Sequence, residues 1–556
     1  MPATHMLLAS YSDITSAAIL SGPAHDRILR ASSAHSPHAS AGAAELYTDT
    51  LMQSASDAAR THHDVAIIGG GPAGLLAAKA LLAATPGIDV KVFEAAPGYR
   101  RNLGAGVQIE VNGWRALHAV DRALAERMRS RGILITGSRY FDEAGGPLPF
   151  QQPPTDHQAN MRAHGHTPVM VHWGDIRKAL FEALPPGVVS FSSRVVGLTP
   201  GQPGGEPAVL ELQVPEQEPE QSAEADNSGG AGGGGCTTRR VTADLVIAAD
   251  GYYSRTKRMV FGASGPPLLP TFRDRVVWRA LVSYPDADQM PPLLREAGDQ
   301  AEAMWWLAEG EPPLRTCLVY PVNDNRFVWT CIAPLADIEA AGLPPWSPHR
   351  ANQDLGIQQS GSVGNDPKAR CMAVFRNHPP EVLELLGRTD PRVITEHGYY
   401  THDVDAYRGA PDWVRGNVVV LGDAAHTGAP DGMGLNMAWE DVAVLAEHVR
   451  RAPGGRVNSS EVLDAYCAAR LPRVRDIWSD PGLSKPRRRA AKLAAAFEPL
   501  GPDSSDRDRT TPTQAPPPAS PPLPEEEEVK GRKAGDGDGG GVGGLESSRQ
   551  RAVAAQ

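Results

Sequence analysis

Gly69, Gly71 and Gly74 stand at the spacing G-x-G-x-x-G, between the apolar β-branched run Asp64-Val65-Ala66-Ile67-Ile68 and a strong helix former, Leu75 to Ala84. At that spacing the first glycine permits a tight turn, the second lets backbone N–H groups approach a pyrophosphate, and the third lets helix and strand pack closely. Pro72 and Ala73 fill the turn, and Pro72 suits the first helical position, where its missing N–H costs nothing. A second strand, Val90-Lys91-Val92-Phe93, ends at Glu94, about 20 residues beyond the turn, where a carboxylate can accept hydrogen bonds from both ribose hydroxyls of an adenosine and would repel a 2′-phosphate. Free N–H groups and the dipole of the helix start complete an anion site. Strand, turn, helix and acid together predict a dinucleotide-binding unit.

Two later corners follow the same plan. The run Ala243-Asp244-Leu245-Val246-Ile247-Ala248-Ala249 leads into Asp250-Gly251, with Ser254 shortly after, and Val418-Val419-Val420-Leu421 leads into Gly422-Asp423. From Gly434 a helix is expected, with Leu435, Ala438, Val442, Leu445 and Val449 on one stripe. Asp423 by itself could be a plain helix cap. Three glycine-and-acid corners so far apart in the chain predict one extended cofactor held from several sides.

Around these corners lie Arg100-Arg101-Asn102-Leu103-Gly104-Ala105-Gly106-Val107-Gln108-Ile109, then Asn112-Gly113-Trp114-Arg115-Ala116-Leu117, and near the end Tyr466, Arg470, Pro472 and Arg473. With them the chain, over roughly residues 62 to 475, resembles the flavoprotein aromatic hydroxylase family, the single-component FAD-dependent monooxygenases related to salicylate and para-hydroxybenzoate hydroxylases. The resemblance implies an α/β fold: a Rossmann-like FAD-binding domain of the GR2 type with an inserted antiparallel-sheet substrate domain. It implies FAD at Gly69, Gly71, Pro72, Ala73, Gly74, Glu94, Arg101, Asp250, Gly251, Gly422, Asp423, Pro430, Gly432, Gly434, Leu435 and Asn436. Asp423 would accept a hydrogen bond from a ribitol hydroxyl, and the turn after Pro430 would set N–H groups against the flavin pyrimidine. The following helix start would face the ring edge that becomes negative on reduction.

The implied reaction uses NADH or NADPH as a transient co-substrate to reduce the flavin. O2 then adds as a C4a-hydroperoxide, one oxygen atom hydroxylates or epoxidises a small aromatic or otherwise apolar substrate, and the other leaves as water. No second G-x-G-x-x-G stands between a strand-like run and a helix for the nicotinamide, the other matches falling in the glycine-rich tracts from Gly230 and Gly535, which fits transient docking. An FAD-dependent reductase of similar fold, or a non-catalytic flavin-binding interaction protein, are the alternatives. The halogenase signature Trp-x-Trp-x-Ile-Pro is absent.

Three positions depart from the family pattern. Lys257, flanked by Arg255 and Arg258, stands where the family usually has Arg. Trp173, in His172-Trp173-Gly174-Asp175-Ile176, stands where it commonly offers Arg or Gln to FAD, and Asp431-Gly432-Met433-Gly434 is one residue shorter than the usual glycine turn.

A chain of 556 residues exceeds a single core, so at least two domains are expected. The net charge of −11 argues against nucleic acid as a partner. No apolar run reaches about 18 residues, so no membrane span is expected. The 5 cysteines are scattered without C-x-x-C spacing, which suits reduced thiols in an intracellular, cytoplasmic setting. Residues 1–60, rich in Ala, Ser and His, read as a disordered or targeting extension; their acids weaken the case for organellar import. Residues 62–264 and 401–490 are expected to form the FAD-binding domain, the second part with C-terminal helices, and residues 265–400 the substrate-binding sheet. Residues 215–238 read as a disordered hairpin insertion and 495–556 as a disordered tail.

Trp278, Trp305, Trp306, Trp329, Tyr399 and Tyr400 could line an aromatic pocket, although core packing is the better expectation for any one of them. His62-His63 reads as a solvated strand entrance, and His426 is not made a base by its position. No catalytic residue and no metal site is assigned, and the sequence leaves the substrate and the oligomeric state open.

Overall fold

Val65, Ala66, Ile67 and Ile68 are apolar at every position, so they belong where both faces of a sheet are covered. The computed structural model describes residues 61–99, 105–149, 154–215, 236–262, 270–310, 315–323, 325–343, 346, 358–359, 366–407, 409, 412–428, 432–478 and 492–493. In it, His62–Ile68 runs through the middle of an eight-stranded sheet. Its parallel neighbours are Val90–Phe93 and Cys236–Ala248, and Val418–Val420 pairs in parallel with the latter. Ala208–Pro215 and Cys236–Ala248 form the two legs of an antiparallel hairpin, closing at Pro215 opposite Cys236, with Arg194–Thr199 outside it. The expected 215–238 insertion thus begins and ends inside strands, and residues 216–235 lie outside the described residues.

The register of this sheet decides where chemistry can occur. Ile68 pairs with Phe93 and with Ala248, and Ala248 pairs with Val420. Glu94, Gly69, Ala249 and Leu421 therefore leave the sheet side by side at one edge, the carboxyl end of the parallel strands, where α/β sheets bind ligands. Two helices begin there: Pro72–Ala84, with Pro72 in its first turn, and Met433–Arg451. They pack together, Trp439 Nε1 donating to the Pro72 carbonyl at 3.4 Å.

The second sheet has seven strands in the order Gln358–Gln359, Thr395–Thr401, Thr271–Ser283, Arg326–Pro334, Thr316–Asn323, Glu302–Leu307 and Gly137–Asp142. All pairs are antiparallel except the last. Its edge strand Gly137–Asp142 comes from before residue 265, so the sheet draws on chain outside 265–400.

Alternation divides the faces. Val276, Trp278, Ala280, Trp306 and Trp329 share a core with the helices Pro292–Gln300, Pro367–Val374 and Pro380–Arg388. Trp278 and Trp329 are sealed there, donating to Glu396 at 2.6 Å and Thr389 at 3.0 Å, so these tryptophans are structural. The other face, with Val277, Leu318, Tyr320, Val328, Ile332 and Tyr399, shares an apolar cluster with Ala105 and Met170, at the ribbon of Gly106–Ile109 and Val169–His172. Gly106 makes that approach possible, since a Cβ there would stand 2.4 Å from Val322 Cγ1 and 2.7 Å from Tyr320 Cε2.

His63, expected at a solvated entrance, is instead buried with Nδ1 3.1 Å from Asp89. The strand continues inward from His62, which is the exposed member of the pair.

Candidate active site

The glycine turn behaves as its spacing predicts. Gly69 has φ +106°, and a Cβ there would lie 2.5 Å from the Ala249 carbonyl oxygen. A Cβ on Gly74 would lie 2.0 Å from the Gly69 carbonyl oxygen, so helix and strand touch backbone to backbone. Gly71 differs: a Cβ there meets no atom within 4 Å and would project into open space.

That space belongs to a crevice lined by Gly69, Gly71, Pro72, Ala73, Glu94, Asp250, Gly251, Asp423, Gly434 and Leu435. Residues from all three corners thus meet around one cavity. Gly74, Gly422, Gly432 and Asn436 are not among its lining residues and shape the turns behind it. Gly432, at φ +61°, precedes the Met433–Arg451 helix. The Asn436 side chain accepts from the Glu110 N–H at 2.8 Å and donates to the Gln108 carbonyl at 3.1 Å, fastening that helix to the ribbon. Arg101 and Pro430 lie outside the described residues.

The carboxylates of the corners are placed differently. Glu94 accepts from the backbone N–H of Gly70 at 2.7 Å and of Ala96 at 2.8 Å, which fixes it at the crevice wall with lone pairs to spare. Asp250 is turned onto its own loop, accepting from Ser254 Oγ at 2.6 Å and from Thr256 N and Oγ1 at 3.0 and 2.9 Å. Asp423 opens the short helix Asp423–His426 and lines the crevice near Tyr252, whose phenol it helps hold protonated after burial, the larger cause.

Behind Asp423 lies a buried ionic network. Asp441 accepts from the Gly422 N–H at 2.8 Å, meets His426 Nε2 at 2.7 Å and takes Arg470 Nε at 2.7 Å. Arg470 also reaches Glu440 at 2.6 Å, and Glu440 accepts from Asn112 at 2.7 Å and Arg473 at 3.0 Å. Burial alone would raise both carboxyls; His426 and Arg470 beside Asp441, and Arg470 and Arg473 beside Glu440, more than offset it and hold them below the usual range. His426 is fully buried in this network and supports the turn.

Several residues of the site carry no spacing signal. Tyr99 donates to the Gly70 carbonyl at 2.9 Å, and the Arg177 guanidinium lies 4.3 Å from its ring centre and 4.6 Å from that of Trp173. Trp173 lines the crevice, and Arg177, one helical turn later, packs on its indole and is not among the lining residues. Burial pulls Arg177 down to about 10, with Tyr99 and Glu94 pulling the other way. The adjacent acids Glu440-Asp441 were a usable signal: two carboxylates on the apolar side of a helix require buried cations, and Arg470 and Arg473 are those cations.

These features fit an FAD. Gly71 and Gly432 cap their helices without any side-chain hydrogen bond, leaving first-turn N–H groups for an anion, and Gly71 leaves the room a pyrophosphate needs. Glu94 and Asp423 both line the crevice and offer acceptors to it.

Known proteins agree. The FAD binding domain family matches residues 384–480. The 3-amino-4-hydroxybenzoate 2-monooxygenase of Streptomyces cremeus is 29% identical over 457 residues, covering 81% of this chain and 92% of its own. The 6-hydroxynicotinate 3-monooxygenase of Pseudomonas fluorescens is 26% identical, over 74% of this chain and 88% of its own. Among solved structures, a salicylate hydroxylase substrate complex shares the fold, with TM-score 0.52 and 21% identity over 78% of this chain and 93% of that one.

These similarities support placing the chain among the FAD-dependent aromatic hydroxylases. It is an FAD-dependent monooxygenase, with NAD(P)H as the reductant typical of that family. Among the described residues no helix is long and apolar enough to cross a membrane.

Proposed function

We propose that the protein inserts one oxygen atom into a small hydroxylated aromatic acid held between the crevice and the antiparallel sheet, with Arg279 receiving the carboxylate. The carrying observation is the place of Arg279. It is 2% exposed, on strand Thr271–Ser283 between Val277 and Leu281, on the apolar face that packs with Ala105 and Met170. Its charge reaches Tyr252, which lines the crevice, and Tyr320, which burial pushes up to about 12 and Arg279 draws back. A guanidinium fork matches a carboxylate in two parallel hydrogen bonds, and such a pair is strongest where water is excluded. The relatives named above act, by their names, on hydroxylated aromatic acids.

His397 supports the hydroxyl half of this reading. It lies across from Val277 on the same face, 3% exposed, with Nδ1 3.0 Å from the Gly398 carbonyl. Burial first, then Arg279, holds it down to about 3, so the ring is neutral and donates from Nδ1. Its Nε2 is then a lone-pair acceptor, and a phenol donating to it gains electron density in its ring.

When bound, FAD supplies the redox chemistry that activates O2. The chain's share is positional. Glu94 would hold the adenosine ribose, the N–H groups at Gly71 the pyrophosphate, and the start of the Met433–Arg451 helix the flavin ring, while Tyr320, Val322 and Met170 keep water from the reacting face.

The test is NAD(P)H-dependent O2 uptake by FAD-loaded protein over hydroxybenzoates and hydroxynicotinates, each compared with its methyl ester. The acids should stimulate uptake and yield oxygenated product, and Arg279→Ala should raise their KM by about tenfold or more. Esters turned over as well as the acids would refute the role of Arg279.

A further inference from the structure

We propose that Tyr252 is a specificity-determining residue of the oxygenation site, its phenol donating a hydrogen bond to the substrate carboxylate that Arg279 receives. This deepens the function proposed above and rests on it. Tyr252 lines the crevice, and its Oη is shut off from solvent with no hydrogen-bond partner among the described residues. A buried donor left unpaired is costly, so the position calls for an acceptor brought by a ligand.

Two supports fix the phenol in place. Gly251, at φ +82°, turns the chain beyond Asp250, and Asp250 holds the loop by accepting from Ser254 and Thr256. On the other side the Tyr252 ring lies 4.2 Å from that of Tyr253, Tyr253 meets Tyr400 at 5.1 Å, and Tyr400 meets its cross-strand neighbour Phe272 at 5.2 Å. Strands Thr271–Ser283 and Thr395–Thr401 thus set where this loop stands. The same two strands carry Arg279 and His397, so one framework positions all three polar groups.

Burial first, then Tyr400 and Asp423, hold the phenol well above the ordinary tyrosine range, and Arg279 opposes them. The proton stays on the oxygen, so Tyr252 donates. With the guanidinium in electrostatic reach, the two donors share one demand, an oxygen anion with lone pairs for both. A carboxylate meets it; a methyl ester lacks the charge and one of the two equivalent oxygens.

The test uses FAD-loaded wild type, Tyr252→Phe, Arg279→Ala and the double variant. Each is titrated with the hydroxybenzoate or hydroxynicotinate that wild type binds best and with its methyl ester, binding being read from the perturbed flavin absorbance. Tyr252→Phe removes one oxygen atom and keeps the ring; it should weaken the acid by about tenfold and the ester by about twofold or less, with KM for the acid rising in step. In the double variant the two losses should fall short of their product, since one carboxylate serves both donors. Acid bound as tightly as by wild type, equal losses for acid and ester, or losses that multiply would overturn the proposal. So would a weaker FAD titration of Tyr252→Phe apoprotein, which would give the phenol to the cofactor. A wild type that shows no preference for acid over ester would instead refute the reading on which the proposal rests.

Discussion

Lys257 Nζ lies 2.7 Å from Tyr407 Oη and 3.3 Å from the Ala425 carbonyl oxygen, and Tyr407 donates to that same carbonyl. Lys257 belongs to the helix that follows the Asp250 corner, and Ala425 to the turn that follows Asp423, so one fully buried amine ties two corners of the crevice together. Lys257 stands where the resemblance implied Arg.

Burial pulls Lys257 down to about 7, against Asp412 and Asp250, which favour the charged form. In the unfolded chain a lysine stays protonated to about pH 10. Between those values unfolding takes up a proton, so this residue makes stability rise with pH from about 7 towards about 10, and the full penalty of the buried charge is present below about 7. Lys257→Met should flatten that rise. Urea unfolding of both proteins from about pH 6.5 to about pH 8.5 measures it, and parallel curves would contradict it.

Gly71→Ala and Gly74→Ala should fail differently. A Cβ at position 74 collides with the Gly69 carbonyl oxygen at 2.0 Å, whereas one at position 71 meets nothing within 4 Å. Gly74→Ala is expected to lower the midpoint of unfolding and to cost about 1–3 kcal/mol or more. Gly71→Ala should unfold like wild type and bind FAD at least about tenfold more weakly. Equal losses of stability, or a Gly71→Ala variant that binds FAD as tightly as wild type, would contradict this.

Arg470→Met removes a cation from Glu440 and Asp441 together, leaving buried carboxylates underpaired. The expected cost is about 3–5 kcal/mol in chemical denaturation. The triple change Arg470→Met, Glu440→Gln and Asp441→Asn should recover much of it, since neutral groups need no counter-charge. A triple variant no better than the single would locate the cost in packing.

The three corners were legible because each depends on backbone demands that few residues meet: glycine at a positive φ or at a close approach, with an acid beyond the end of a strand. Gly69, Gly71, Glu94, Asp250 and Asp423 do line one crevice. The partners of these residues were not legible, because nothing local fixes them. Tyr99, Arg177 and Lys257 reach their contacts through the packing of separate elements. Asp250 is one lesson: its neighbours Ser254 and Thr256 were in plain view, and they turn its carboxylate onto its own loop. The tryptophans are another, since the parity of strand Thr271–Ser283 sends Trp278 to the helix side and Arg279 to the side facing the ribbon. Strand alternation gives the two faces, and only the packed helices say which is which.

His397 yields a prediction about rate. With its imidazole held down to about 3 by burial and then by Arg279, turnover of a hydroxylated aromatic acid should show no limb with a pKa near 6.5, the ordinary histidine value, in kcat/KM. His397→Phe should lower kcat/KM for a phenol more than for its methyl ether. A limb near 6.5 that His397→Phe abolishes would show that the ring titrates as an ordinary base.

The central claim is that Glu94 and Asp423, far apart in the chain, hold one FAD. Spectrophotometric titration of purified apoprotein with FAD tests it most directly. The wild type should form a yellow complex that saturates at one flavin per chain, while Glu94→Gln and Asp423→Asn, which keep the shape of each side chain, should each weaken it by about tenfold or more. Protein that stays colourless and leaves added flavin free, or variants that bind as tightly as the wild type, would contradict it.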